Sequence, residues 1–159
     1  MSKERENKFL ERAIELSRQG MRNGKGGPFG CVIVKGEEII GEGCNQVTSL
    51  NDPTAHAEVV AIRQACIKLG TFQLTDCEIY SSCEPCPMCL GAIYWARPKK
   101  VVYANTRGEA AAIDFDDDFI YGEINAQMKD RKIPFEHIPH PMAKEVFEAW
   151  KNWEGRIKY

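Results

Sequence analysis

Two short stretches of this 159-residue chain hold the side-chain types that bind metal and move protons. The first is Thr54-Ala55-His56-Ala57-Glu58, and the second is Glu84-Pro85-Cys86-Pro87-Met88-Cys89. Zinc favours imidazole nitrogen and thiolate sulfur in a tetrahedral arrangement. Cys86 and Cys89 stand one helical turn apart, so both sulfurs can face a single ion. At the start of a helix, the dipole and the unpaired N–H groups favour thiolates. His56 brings the count to three protein ligands and leaves a fourth position for water, as a catalytic zinc requires. Glu58, two residues past His56, points to a different face of the helix start and need not be a ligand. A carboxylate beside an activated water can take its proton and deliver it to a substrate nitrogen.

Each half of this pattern also has an ordinary reading. A lone His-x-Glu fits a solvated helix start, and a lone Cys-x-x-Cys fits a redox pair or a structural zinc. Together, in this order, they point to catalytic zinc. Cys83 keeps one alternative open, because Cys83, Cys86 and Cys89 are evenly spaced. With His56 they would complete a closed site of three thiolates and one imidazole, the mark of a structural-zinc binding module. Cys31, Cys44, Cys66 and Cys77 lie in apolar runs and read as core. Seven cysteines are an odd number, and no export signal follows the charged start, so reduced thiols and a cytoplasmic protein are expected.

The elements that must position these groups follow from periodicity. Phe9, Leu10, Ala13, Ile14, Ser17 and Met21 recur at helical spacing, with Gly24 as the stop. A glycine loop (Gly24, Gly26, Gly27, Gly30) leads to two β-rich runs, 31–35 and 38–43, read as a hairpin around Gly36-Glu37. Asp52-Pro53 has the character of a helix start that places His56 in the first turn of a helix reaching Gly70. Residues 77–82 read as a strand, 87–96 as an apolar helix and 101–104 as another strand. Short helices are expected over 108–113 and 119–128, a short strand over 135–138, and a helix with Phe147, Trp150 and Trp153 over 141–154. A hairpin followed by alternating helices and strands argues for an α/β layered domain.

Charge narrows the function. Lys and Arg number 21 against 23 Asp and Glu, a net −2 that lacks the basic footprint of a nucleic-acid binder. A small-molecule substrate is expected instead, with no nucleic acid and no membrane as partner. No apolar stretch approaches the ~18 residues of a membrane span.

The order H-x-E…P-C-x-x-C matches the signature of zinc nucleobase deaminases. The chain resembles the cytidine deaminase-like superfamily and, within it, the small guanine deaminases. The resemblance runs nearly end to end and is densest at Gly26-Gly27-Pro28-Phe29-Gly30, at 51–58, at 82–98, and at Phe115-Asp116-Asp117-Asp118-Phe119-Ile120-Tyr121. It implies a three-layer fold with a central five-stranded mixed sheet flanked by helices, and one catalytic Zn2+ per subunit. It implies hydrolysis of guanine to xanthine and ammonia. It also implies a single domain over 1–159 in a homodimer, with the C-terminal segment, about 130–159, swapped onto the partner's active site.

The tRNA adenosine deaminases share a very similar motif, so deamination of tRNA adenosine, guanosine or another nucleobase or triazine remains the alternative. Acidity favours guanine: the run Asp114, Asp116, Asp117 and Asp118 repels phosphates yet can accept the N–H donors that guanine offers. The resemblance assigns substrate contacts to Phe29, Asn45, Trp95, Asp117 and Tyr159. Phe29 and Trp95 fit core aromatics nearly as well, and Asp116 competes with Asp117 by one residue of register.

Overall fold

The computed structural model describes residues 3–159. Its contacts divide into two compact units, one reaching Asp117 and the other Asp118–Tyr159.

The first unit is built on the expected hairpin. Strands β1 (Gly30–Lys35) and β2 (Glu38–Cys44) pair antiparallel with a register shift between Ile33 and Val34. Gly36, at φ +63°, makes the turn between them. β1 also pairs antiparallel with β3 (Cys77–Cys83), which pairs parallel with β4 (Lys100–Asn105). The result is a mixed sheet in the order β2-β1-β3-β4. Among the described residues it has four strands, where the resemblance implied five. The span expected as a strand, 135–138, has no regular structure. Pro134 and Pro139, which bound this short run, have no N–H with which to carry a ladder past either end.

Helices cover both faces. Helix α1 (Lys3–Arg22) buries Phe9, Ala13, Ser17 and Gly20. Phe9 meets Tyr80 of β3, with ring centroids 5.2 Å apart, in a cluster with Val32 and Val34. Ile14 and Met21, expected on the same stripe, are exposed. Cation and carboxylate pairs also fasten α1 to the sheet: Arg5 Nη1 lies 2.7 Å from Glu78 Oε2 and 2.9 Å from the Tyr80 hydroxyl.

On the other face lie α3 (Ala57–Leu69) and α4 (Pro87–Ala96), and a four-residue helix α2 (Val47–Leu50) precedes them in the chain. α3 approaches β2 closely because both surfaces are small. A Cβ at Gly43 would fall 2.3 Å from the carbonyl of Ala57, and one at Gly41 would fall 2.5 Å from that of Ala61. Ala57, Ala61 and Ala65 are fully buried against Ile33, Ile40 and Ile79. This close packing fixes the N-terminal end of α3, where His56 and Glu58 stand.

α5 (Arg107–Ala111) follows β4 and begins with a capping box between Thr106 and Glu109. It ends in a left-handed residue, Asp114 at φ +71°. The N–H of Asp114 bonds to the Ala111 carbonyl and that of Phe115 to the Ala110 carbonyl. These paired bonds are a Schellman stop with aspartate in the place glycine usually takes.

The second unit holds α6 (Asp118–Asn125), a 3-10 turn (Met128–Asp130) and α7 (Pro141–Asn152). α7 starts on His140, whose Nδ1 accepts the N–H of Met142, and on Pro141. No residue of 118–159 is buried. No described helix is long and apolar enough to cross a membrane.

Candidate active site

The helix starts of α3 and α4 bring the two motifs together. His56 and Cys86 are the N-cap residues of their helices, and neither side chain caps its own helix. The N-cap position ordinarily favours a side chain that accepts a backbone N–H. Here the two side chains face each other: Cys86 Sγ is 3.4 Å from His56 Nδ1, and Cys89 Sγ is 3.5 Å from the same nitrogen. His56 therefore precedes α3 with extended backbone (φ −71°, ψ 154°) and does not lie in its first turn. Asp52 and Pro53 sit in a preceding turn, where Asp52 Oδ1 accepts the N–H and hydroxyl of Thr54.

His56, Cys86 and Cys89 form a group whose ligand atoms lie within 4.8 Å of one another. The two thiols are shifted in opposite directions. The Cys86 thiol is pulled down to about 4 by the hydrogen bond from Cys89 and by His56. The Cys89 thiol is raised by that same bond and by burial. The His56 imidazole is raised by Cys86, against the opposing effect of burial. One imidazole nitrogen and two sulfurs, one already favoured as thiolate, at two helix N-termini are a donor set suited to zinc.

Cys83 does not join them. Its sulfur lies 3.7 Å from the Thr106 carbonyl as a donor, and burial pushes its thiol up to about 11. The closed four-ligand alternative is not what the geometry presents. Cys31, Cys44 and Cys77 are buried and Cys66 half-buried, and all seven cysteines are free thiols.

Glu58 stands beside the group with only 6% of its surface exposed. Oε2 is 3.4 Å from Cys89 Sγ, and Oε1 accepts the Ser81 hydroxyl at 3.2 Å. Burial is the main cause that lifts its pKa above the ordinary carboxylate value, the direction that suits a group that must both take and give a proton.

These residues open onto a cavity of about 420 Å³, lined by His56, Glu58 and Cys86 on one side and by Phe29, Asn45, Phe115, Asp116 and Asp117 among others. Asn45 is buried, and its Oδ1 accepts the N–H groups of Gly27 (3.3 Å) and Val47 (3.1 Å). With both lone pairs engaged, the amide has only donors left for a ligand. Gly26 permits this arrangement, since a Cβ there would fall 2.2 Å from Asn45 Oδ1. Phe29 meets Phe115 edge to face at 4.9 Å. Asp116 and Asp117 both line the cavity.

Trp95 is not among the residues lining this cavity; it is 63% exposed on α4. Tyr159 belongs to the second unit and is also exposed. Sequence reasoning passed over Thr48, Cys83, Glu84, Arg107 and Phe115 as cavity residues. Glu84, whose carboxylate accepts the backbone N–H of Arg107 at 3.0 Å, stands two residues before the Cys-x-x-Cys motif and was the easiest of them to find.

A mixed sheet between helices, with imidazole, two sulfurs and a buried carboxylate converging at two helix starts, defines a zinc hydrolase of the deaminase type. Residues 3–105 match the family described as cytidine and deoxycytidylate deaminase zinc-binding region, and the chain belongs to that family. Its cofactor is zinc. Over 151 residues it is 56% identical to guanine deaminase of Bacillus subtilis (strain 168), covering 95% of this chain and 97% of that one. The X-ray structure of guanine deaminase from Bacillus subtilis superposes with a TM-score of 0.94 at 54% identity, over 100% of this chain and 99% of that chain. A tRNA-specific adenosine deaminase of Aquifex aeolicus (strain VF5) is 43% identical over 150 residues, covering 94% and 96%.

Proposed function

We propose that this protein hydrolyses guanine to xanthine and ammonia with one zinc ion per subunit. The observation that carries the reading is Glu58 beside the His56, Cys86 and Cys89 group at the cavity, in a chain 56% identical to a guanine deaminase over nearly its full length. His56, Cys86 and Cys89 would hold the metal. Bound zinc supplies Lewis acidity, bringing the pKa of a water down toward ~7.

The chain's own residues do the rest. Glu58 takes a proton from the attacking water and gives it to ring nitrogen N3, beside the C2 that is attacked. It then carries a second proton to the departing amine. Asn45 donates from its amide to an acceptor on the purine, and Asp117, with Asp116 beside it, accepts guanine N–H groups. Phe29, braced by Phe115, packs on the base. An adenine in this cavity would leave those acceptors unpaired, a mismatch on which hydrogen-bonding sites discriminate strongly.

The second reading is tRNA adenosine deamination, favoured by the 43% identity to the Aquifex aeolicus protein. Against it stand the acids Glu84, Asp114, Asp116 and Asp117 around the cavity, with Arg107 as the one cation among the lining residues. Such a rim is poor at gripping a phosphate backbone.

The working form in this proposal is a homodimer in which each chain is a single functional domain and residues from about 130 to 159 cross to the partner's active site. Exposed Met142, Val146, Phe147 and Trp150 on α7 support it, because an apolar stripe of this kind is ordinarily covered. Tyr159 would then help close the partner's pocket, and Trp95, exposed on α4, suits a pocket completed by a second copy.

The test is the ultraviolet change when purified, zinc-loaded protein meets guanine, with adenine, cytosine, guanosine and tRNA in parallel. Turnover of guanine well above the others is expected. Turnover of tRNA adenosine with guanine untouched would replace this reading by the second.

A further inference from the structure

The mechanism leaves unused one polar side chain deep in the core. Ser81 sits within β3, 2% exposed, between Cys31 of β1 and Tyr103 of β4 in the strand register. Strand alternation puts it on the face of Ile79, the face that packs on α3. A hydroxyl among such neighbours is costly unless it is hydrogen-bonded. Among the described residues its hydroxyl has one side-chain partner, Glu58 Oε1, at 3.2 Å.

That bond makes the two oxygens of Glu58 different. Oε1 faces the sheet and is held; Oε2 faces the metal-binding group, 3.4 Å from Cys89 Sγ. We propose that Ser81 is a positioning residue for the reaction. By donating to Oε1 it fixes the rotamer of Glu58 and reserves Oε2 as the oxygen that takes and gives the proton. Because a serine hydroxyl can donate equally to a carboxylate oxygen and to the carbonyl oxygen of the neutral acid, the bond persists through both protonation states. Ser81 itself touches no substrate. The inference rests on the reading of Glu58 as proton carrier.

The test compares Ser81→Ala and Ser81→Thr with the wild type, each loaded with zinc. For Ser81→Ala, kcat is expected to fall roughly tenfold to a hundredfold, the loss of one hydrogen bond to a charged group. KM for guanine should stay within about threefold and zinc content should be unchanged. Ser81→Thr, which restores the hydroxyl, should recover most of the loss. In the infrared, the carboxyl band that disappears in Glu58→Gln should shift in Ser81→Ala and return in Ser81→Thr. Wild-type kcat in Ser81→Ala, equal losses in both variants, or an unmoved carboxyl band would overturn the proposal. If Ser81→Ala fails to fold, Ser81→Cys, close in volume and a weak donor, takes its place with the same expectations. A wild type that leaves guanine untouched would defeat the substrate reading alone, and the infrared comparison, which needs no turnover, would still decide the role of Ser81.

Discussion

The two units of this chain treat their apolar residues in opposite ways. Up to Asp117, small and branched side chains vanish between sheet and helices: Val32, Ile33, Val34, Ala57, Ala61, Ala65 and Ile79 are fully buried. From Asp118 onward Phe119, Ile133, Phe135, Ile138, Met142, Phe147 and Trp153 are all more than half exposed. The first unit has a core of its own, and its metal-binding group and Glu58 are held by bonds within it. The second leaves large apolar side chains exposed, and exposed apolar patches mark candidate interaction surfaces. Substitutions in the first unit should therefore act at any protein concentration, and those in the second should act through assembly.

The largest effect belongs to Glu58. Positioned acid–base catalysis typically supplies ~10²–10⁴-fold, so Glu58→Gln should reduce turnover by that amount with zinc still bound and with no dependence on protein concentration. Steady-state rates beside metal analysis check it; a zinc-loaded variant with wild-type turnover would remove Glu58 from the chemistry. The metal group is tested in the same way. Cys86→Ala should lose most of its zinc, whereas Cys83→Ala, whose sulfur faces the Thr106 carbonyl, should keep it. Loss of zinc from Cys83→Ala would restore the closed four-ligand site.

The next effect tests how the first unit holds itself together. Burial pushes the Glu78 carboxyl up, but bonds from the Tyr80 hydroxyl (2.5 Å) and Arg5 pull it further down, so the net shift is below the ordinary value. Its contribution to stability is full above the unfolded carboxylate pKa and is lost as pH falls through the lowered folded value. Tyr80 moves the other way, pushed up to about 12 by burial and by Glu78. Its contribution is present below about pH 10 and lost as pH rises through 12. Glu78→Gln leaves Arg5 without its buried anion and should cost about 3 kcal/mol, read as a lower denaturant midpoint at pH 7. The gap from wild type should narrow toward pH 3. A gap that stays constant with pH would show that the ion pair is not what joins α1 to the sheet.

Much of this was legible in the sequence because its determinants are local. The His-x-Glu and Cys-x-x-Cys spacings, the hairpin turn at Gly36, the apolar helix after Pro87 and the glycine loop all follow from neighbours a few residues apart. What escaped depended on distant partners. The helix-start character of Asp52-Pro53 put His56 inside a helical turn, but the close seating of Ala57 and Ala61 on Gly43 and Gly41 sets where α3 begins. Ser81 looked like any strand residue, since only the fold brings Glu58, 23 positions away, onto its hydroxyl. Phe115 became a cavity wall through the Schellman turn at Asp114, and Cys83 was settled by the Thr106 carbonyl. The fifth strand belongs with these: the resemblance implied it, but 135–138 forms no ladder among the described residues, because strand pairing is set by tertiary context more than by local residue type.

The smallest effect on stability, and the sharpest on the comparison, is expected in α7. Val146, Phe147 and Trp150 are exposed there, at 64%, 79% and 42%. Replacing an exposed apolar residue by a charged one changes folding stability by about 0.5 kcal/mol or less. Phe147→Glu should therefore leave zinc content and the thermal midpoint at low concentration close to wild type. If α7 is covered by a second copy, however, the same substitution buries a charge in the interface, and dimerisation should weaken by several kcal/mol. Light scattering across a dilution series separates the two effects: the wild type should keep the mass of a dimer at concentrations where Phe147→Glu has fallen to that of a monomer. Turnover should fall with the dimer, since the proposed swap places Tyr159 in the partner's pocket. A wild type that is monomeric yet fully active would show that the exposed stripe serves some other partner and that the first unit completes its site alone.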